Sequence, residues 1–209
     1  MVRPAQGSGE TVGMTGDQHS REAHPAVDEA FAATPRQDYL PDAVRHLAHH
    51  DLPLPLARGM TNSQPSTVRD MLEHLQVPAG ARVLDVGSGS GWSTALLAHL
   101  CGPKGRVLGL EIEPELVAFG TRNLAASCRD WARIEAATPG VLGAPDRAPF
   151  DRILVSAMAT DVPTDLVNQL APCGVLVVPV KGRMVRIHVD DAGTAHRRAF
   201  GFYRFVPLR

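Results

Sequence analysis

The sequence predicts an α/β fold: a doubly wound, mostly parallel sheet that ends in an antiparallel C-terminal strand pair. Three observations carry this. Short apolar strands alternate with helical segments from residue 82 to residue 180, the pattern of a parallel sheet covered on both faces. A glycine-rich turn, Gly87-Ser88-Gly89-Ser90-Gly91, joins the first of these strands to the first helix. The last two strands are separated only by Asp190-Asp191-Ala192-Gly193, which suits a hairpin and is too short for a crossover.

Each element has its own signal. Residues 1–25 are rich in Gly, Ser, Thr, Gln and charge and lack the apolar core of a signal peptide, so they read as a disordered tail. From Ala26 to Leu40, Val27, Ala30 and Phe31 share a helical face and Pro35 ends the run. Asp42 to His50 reads as a second short helix. Leu52-Pro53-Leu54-Pro55-Leu56 fits neither a regular helix nor a central strand, because each proline removes a donor. Arg58 to Gln64 reads as a loop. Pro65 then opens a helix to about Gln76 with Val68, Met71, Leu72 and Leu75 on one face. The strands follow at 82–86, 106–112, 132–136, 151–157 and 175–180, and the helices at 92–100, 114–126 and 163–170. Val185–Val189 and Ala199–Val206 form the antiparallel pair. The whole from 26 to 209 reads as one domain, with a helical leading segment over 26–78 that faces substrate and a cofactor-binding sheet over 79–209.

Composition narrows the function. The chain has 209 residues, 44% hydrophobic and 21% charged, with a formal net charge of -1. That balance offers no broad attraction to nucleic acid or to a membrane surface, and no apolar run approaches the roughly 20 residues of a spanning helix. Cys101, Cys128 and Cys173 have no metal-type spacing and read as buried thiols in a reducing compartment, hence a cytoplasmic protein. His46 and His50 lie four apart on a helix without acids placed beside them, so no metal site is expected. Trp92 and Trp131 read as packing residues, and Arg36 as a surface or loop-tethering residue.

The turn after the first strand carries the chemistry. Glycines at 87, 89 and 91 let the backbone bend and approach a ligand with no Cβ in the way. A dinucleotide loop wants Gly or Ala at 92, where Trp stands here, and needs no acid before its first glycine. Asp85 at the strand end is placed to face an ammonium or a ribose. The spacing therefore favours S-adenosylmethionine. Glu111 ends the second strand 20 positions past Gly91, where an acceptor-only carboxylate suits two ribose hydroxyls. Glu113 and Glu115 read as exposed charges at a helix start. Thr61-Asn62-Ser63-Gln64-Pro65 groups two hydroxyls and two amides just before a helix. Capping by Ser63 or Gln64 and carboxylate binding are both compatible with it.

These segments together resemble the protein-L-isoaspartate O-methyltransferase family over roughly Val27 to Leu208. Thr61-Asn62-Ser63-Gln64-Pro65 is similar to the family's Thr-Ile-Ser-Gln-Pro, and Leu84–Trp92 to its cofactor loop. Pro35-Arg36 with Tyr39-Leu40-Pro41, Ala148-Pro149-Phe150-Asp151, Pro163…Leu166…Gln169-Leu170 and Phe205-Val206-Pro207-Leu208 match in the family's order. The glycine loop is general to methyltransferases; the other segments are more specific. Thr138-Pro139-Gly140 departs from the family's Gly-Asp-Gly, leaving the adenine side without an acid. Cys173 and Lys181 stand where glycines are usual.

The resemblance implies a class I S-adenosylmethionine-dependent methyltransferase of Rossmann-like fold, acting on the free carboxylate of L-isoaspartyl residues in damaged peptides and proteins. It places Thr61, Asp85, Gly87, Ser88, Gly89, Gly91 and Glu111 at the cofactor. Ser63 becomes the catalytic residue that holds one carboxylate oxygen, with Asn62 and Gln64 positioning substrate. The expected partners are isoaspartyl peptides or proteins, with no nucleic acid and no membrane, and the chain is expected to be a monomer. Two alternatives stand beside this reading: a related O-methyltransferase acting on aspartate of a dedicated peptide, and a cofactor-binding homologue without activity.

Overall fold

The computed structural model describes residues 24–209; the expected tail lies outside them up to residue 23. Pro25 already opens the first helix, α1 (Pro25–Ala32), with proline at a position whose N–H would be unpaired anyway. A 3-10 turn at Arg36–Tyr39 leads to α2 (Asp42–Arg45). This helix is shorter than the expected 42–50. Beyond Arg45 the chain tightens into turns, Leu47 N donating to Val44 O at 2.9 Å and Ala48 N to Arg45 O at 3.1 Å, and the His50 carbonyl accepts from the Arg36 guanidinium at 3.0 Å.

Proline-flanked Leu54–Pro55 forms a two-residue strand, β1, paired antiparallel with β2 (Thr61–Asn62) apart from the main sheet. The expected loop over 58–64 thus holds a short strand. The turn between them is tight: Arg58 sits at φ 59 and Gly59 at φ 73. Helix α3 (Pro65–Leu75) follows and buries Val68, Met71, Leu72 and Leu75, the predicted face.

The main sheet has seven strands in the order β5-β4-β3-β6-β7-β8-β9. They are β3 (Arg82–Val86), β4 (Arg106–Glu111), β5 (Ala132–Ala136), β6 (Phe150–Val155), β7 (Leu170–Val180), β8 (Arg183–Val189) and β9 (Ala195–Phe200). The first five run parallel; β8 and β9 are antiparallel additions. Helices α4 (Trp92–Cys101), α5 (Pro114–Ala125) and α6 (Thr164–Val167) connect the strands. The chain runs outward from β3 to β5, then returns to β6 on the other side of β3. The crevice at the carboxyl ends of β3 and β6 is therefore the topological switch point, where open α/β sheets bind ligands.

Strand alternation divides the core. Val83 of β3 packs with α1, α3 and α4, while Leu84 and Val86 pack on the opposite face with Ile153, Leu176, Val178 and Leu166. Asp85 shares Val83's side and is fully buried there.

Three further expectations need correction. The helix expected over 163–170 is only Thr164–Val167. Gln169 leaves it in a turn just before β7: its Nε2 donates to the Leu142 and Asp165 carbonyls, its Oε1 accepts from Ala144 N, and its carbonyl accepts from Phe150 N at 2.8 Å. The last strand is 195–200 and not 199–206. The Asp190–Gly193 turn sets Ala195 opposite Val189, so the polar His196-Arg197-Arg198 stretch joins the sheet and the aromatic stretch beyond Gly201 leaves it. Of the cysteines only Cys101 is buried; Cys128 and Cys173 are exposed. Cys128, Cys173 and Lys181 all have positive φ, so these side chains occupy a backbone region that glycine fits best. No described helix is long and apolar enough to cross a membrane, and no cluster among the described residues has three or more His, Cys, Asp or Glu placed to hold a metal ion.

Candidate active site

The glycine turn closes over the switch point through backbone contacts. Gly87 N and Ser88 N both donate to the Leu110 carbonyl, at 2.8 and 3.1 Å, and Gly91 N donates to Ser88 O at 2.8 Å. Gly87, Gly89 and Gly91 all have positive φ, so glycine suits each of these positions. Gly91 caps α4 with φ 86.

Glu111 ends β4 beside this turn and is buried. Its Oε2 accepts from Gly89 N at 2.9 Å, and its Oε1 from Ile112 N and Glu113 N at 2.8 and 3.0 Å. These amides fix the carboxylate while leaving acceptor capacity on its oxygens for a ligand hydroxyl. Removing it strips the turn of an anchor and the ligand of an acceptor. Glu111→Ala is expected to weaken S-adenosylhomocysteine binding by about 1–3 kcal/mol, or roughly 5- to 150-fold, measured by calorimetry.

A cavity of about 570 Å³ opens at these strand ends, a size suited to a cofactor. Its walls are Val86, Gly87 and Gly89, the β4 end from Leu110 to Ile112, residues 137–143, residues 159–165 and the C-terminal residues 206–209. A narrower crevice lies beside it, lined by Thr61, Asn62, Ser63 and Ser88 to Ser90 among others. Thr61, Gly87, Gly89 and Ser156 line both spaces, so the two adjoin along that row.

The sequence-predicted residues divide between these spaces. Thr61, Gly87, Gly89 and Glu111 line the large cavity, and Ser63 and Ser88 line the crevice. Gly91, the cap of α4, lines neither, and nor does Asp85. Its Oδ2 accepts from the Ser93 and Thr94 hydroxyls, both at 2.7 Å, and so ties β3 to the first turn of α4. Its buried Oδ1 has no partner among the described residues, and neither has the Ser88 Oγ. Burial pushes the Asp85 carboxyl up to about 6 against the pull of the two hydroxyls. Ser88 lines the crevice, and an orphaned buried hydroxyl on a site wall is what remains when its polar partner is supplied from outside. At Gly89 an added Cβ would meet only Leu56 Cδ1 at 3.7 Å and Gly87 O at 4.0 Å, so the space over it is open to a ligand. The residues present fit S-adenosylmethionine.

Gln64 lines neither space. Its Nε2 donates to Asp51 Oδ2 at 3.0 Å and to Ser66 Oγ at 2.9 Å. Neither Ser63 nor Gln64 caps α3 through its side chain; Asp51 does so, accepting from Ser66 N at 2.8 Å. Asn62 is buried and bridges two elements. Its Oδ1 accepts from Arg36 Nε at 2.7 Å, and its Nδ2 donates to Ser90 Oγ at 3.0 Å. Arg36 is the tether the sequence suggested, though buried and not on the surface. Its guanidinium donates to the carbonyls of His50, Leu52, Asn62 and Ser63 at 2.9 to 3.1 Å, with its face 5.5 Å from the Trp92 ring centroid. Burial lowers its pKa to about 10, which leaves it charged at neutral pH. The Ser63 loop is thus lashed to the glycine turn through Arg36 and Asn62.

Three further residues contribute to the site. Ser156 follows β6 at the switch point and lines both spaces; its place just past a central parallel strand was the available signal. Asn123 Nδ2 donates to Ser90 O at 2.9 Å from α5. Gly120, also on α5, lets that helix approach the turn so closely that a Cβ there would lie 2.8 Å from Gly89 O. Glu113 is no free surface charge, since it pairs with Arg209 at 2.8 Å beside the cavity mouth.

A doubly wound sheet whose glycine turn and second strand-end acid line one cavity defines a class I S-adenosylmethionine-dependent methyltransferase. A solved neighbour, described as a putative protein-L-isoaspartate O-methyltransferase from Plasmodium falciparum in complex with S-adenosyl-L-homocysteine, superposes with a TM-score of 0.78 at 25% identity, covering 89% of this chain and 91% of that one. Another, described as protein-L-isoaspartate O-methyltransferase, shares the fold with a TM-score of 0.78 at 23% identity over 89% of this chain and 62% of its own. In sequence, residues 14–209 match the protein-L-isoaspartate(D-aspartate) O-methyltransferase family. The protein-L-isoaspartate O-methyltransferase of Methanopyrus kandleri is 41% identical over 186 residues, 87% of this chain and 82% of its own. That of Methanothrix thermoacetophila is 42% identical over 185 residues, 87% of each chain. The chain belongs to the protein-L-isoaspartate(D-aspartate) O-methyltransferase family.

Proposed function

We propose that this protein methylates the free α-carboxylate of L-isoaspartyl residues in damaged peptides and proteins, and that Ser63 positions that carboxylate. The observation that carries the reading is the placement of Ser63 in a crevice that adjoins the cofactor-sized cavity along Thr61, Gly87, Gly89 and Ser156. S-adenosylmethionine supplies an activated methyl group when bound. Thr61, Gly87, Ser88, Gly89 and Glu111 would hold it, with Asp85 and Gly91 fixing the start of α4 behind the turn.

The protein's own tasks are then few. A carboxylate with a pKa near about 4 is already ionised at neutral pH, so no general base is required. What remains is to orient it and to exclude water. Ser63 is half-buried, and its backbone carbonyl is pinned by Arg36 at 2.9 Å. The Ser63 hydroxyl offers one neutral donor, which orients a carboxylate oxygen without neutralising the nucleophile. Arg36 is spent on backbone carbonyls and Asn62, so its charge does not quench the reacting group. Asn62 and Gln64 serve the site indirectly, by setting the loop that carries Ser63.

Ser63→Ala tests this assignment. Turnover on an isoaspartyl peptide is expected to fall by about 1–3 kcal/mol of barrier, roughly 5- to 150-fold, with affinity for S-adenosylhomocysteine unchanged. The wild-type rate should stay level between pH 6 and 9. Unchanged turnover in the variant removes Ser63 from the chemistry, and a steep pH dependence in that window reveals a base that this account lacks.

A further inference from the structure

The far edge of the sheet is unlike the rest of the molecule. From Arg183 to Arg204 the chain carries five arginines against two aspartates, in a protein whose formal net charge is -1. Pairing in register sets Arg186 opposite Arg198 and His188 opposite His196 on one face of the β8–β9 hairpin. Directly opposed like charges destabilise a ladder. The acids around them are already engaged. Asp190 accepts from His196 at 2.8 Å and from two turn amides, Asp191 from Cys173 Sγ, Asp70 from Tyr203 at 3.0 Å, and Glu73 pairs with Arg69. Arg186 spends its donors on the His74 carbonyl and the Gln76 amide oxygen. The side chains of Arg197 and Arg198 make no hydrogen bond or ion pair among the described residues.

The same strand is an open edge. β9 pairs with β8 alone among the described residues, and Ala195 to Ala199 are all exposed. The hairpin is closed by Asp190 N donating to Thr194 O at 3.0 Å. Antiparallel ladders alternate bonded and unbonded pairs. With 190 and 194 a bonded pair, Ala195, Arg197 and Ala199 turn their N–H and C=O groups outward. An edge of this kind is a template for another strand.

We propose that the β8–β9 edge takes an acidic, extended segment of a partner protein as an added strand. The outward backbone groups of Ala195, Arg197 and Ala199 would bond its main chain. Carboxylates at alternate positions would lie beside His196 and Arg198, relieving the Arg186–Arg198 opposition. A second copy of this edge is a poor occupant, since it brings the same arginines against these. A nucleic acid would answer the charge and leave the amides unused.

The test uses the full-length protein and three labelled probes at low salt: an acetylated peptide of alternating Val and Glu, its twin N-methylated at alternate amides, and a single-stranded oligonucleotide. The acidic peptide is expected to bind, with its affinity lowered at least tenfold by R197E/R198E. The N-methylated twin should bind at least tenfold more weakly. Ala199→Pro, which removes an outward N–H at a position an edge strand tolerates, should also weaken binding at least tenfold while its melting temperature and methyl transfer stay at wild-type level. No binding of the acidic peptide overturns the proposal. So does equal binding of the N-methylated twin, or oligonucleotide binding as tight as the peptide's, which makes the patch a charge-only polyanion site.

Discussion

Arg36→Met is expected to unfold the site from behind. The side chain stays long and apolar enough to cover Trp92, but donors to the carbonyls of His50, Leu52, Asn62 and Ser63 and to the Asn62 amide oxygen are lost together. Buried carbonyls left without partners cost on the order of 1–3 kcal/mol each before relaxation. Water will reach some of them, so the expected net loss is about 3 kcal/mol. In a chain of this size that is a melting temperature lower by roughly 6–12 °C. Methyl transfer should fall further than stability alone requires, because the Ser63 loop loses its anchor to the glycine turn. Arg36→Lys should rescue little, since one ammonium cannot reproduce the planar fork that reaches four carbonyls. Thermal unfolding and turnover measured on both variants check this. A melting temperature within 2 °C of wild type for Arg36→Met contradicts the tether.

Gly120→Ala is the second large effect, and its sign is the informative part. In an exposed helix interior this change stabilises by up to about 1 kcal/mol. Here the added Cβ would lie 2.8 Å from Gly89 O, 3.0 Å from Ile134 Cδ1 and 3.2 Å from Gly91 N. Two of those atoms belong to the glycine turn's backbone, which cannot rotate away as a side-chain tip can. Helix α5 or the turn must shift. The expected result is a loss of about 1–3 kcal/mol of stability. Affinity for S-adenosylhomocysteine should drop at least tenfold, because Glu111 bonds the N–H of the same Gly89 whose carbonyl is displaced. Calorimetry and thermal unfolding on the purified variant decide it; a gain in stability with unchanged affinity contradicts the close approach.

The sheet and its glycine turn were legible because they rest on local signals. Apolar runs of five or six residues, prolines at helix starts and glycines at positive φ report their conformation within a few residues of themselves. The antiparallel ending was legible from its turn, yet its second strand was misplaced. Aromatic residues over 199–206 looked more strand-like than His196-Arg197-Arg198, and only the turn's closing bond sets the register. Asp85 and Glu111 show the same divide within the site. Both strand-end acids were visible in the sequence. Side-chain alternation along β3 is what turns Asp85 toward Ser93 and Thr94, while the end of β4 leaves Glu111 against Gly89. Ser63, Asn62 and Gln64 are adjacent in sequence, yet Ser63 lines the crevice, Asn62 lines it while bridging Arg36 to Ser90, and Gln64 faces Asp51. Those fates depend on partners 13 to 28 residues away. Gly120 and Asn123 were invisible for a similar reason: nothing local marks a helix face that approaches a distant turn.

The central claim is that the crevice at Ser63 presents an isoaspartyl carboxylate to the adjoining cofactor cavity. Methyl transfer from labelled S-adenosylmethionine to an isoaspartyl peptide and to its aspartyl twin, run side by side with wild-type protein, tests it most directly. The two peptides carry the same charge and composition and differ in which carboxylate hangs from the backbone. This account predicts ready labelling of the isoaspartyl peptide and little of the twin. Equal labelling of both, or labelling of neither in a protein that binds S-adenosylhomocysteine, contradicts it.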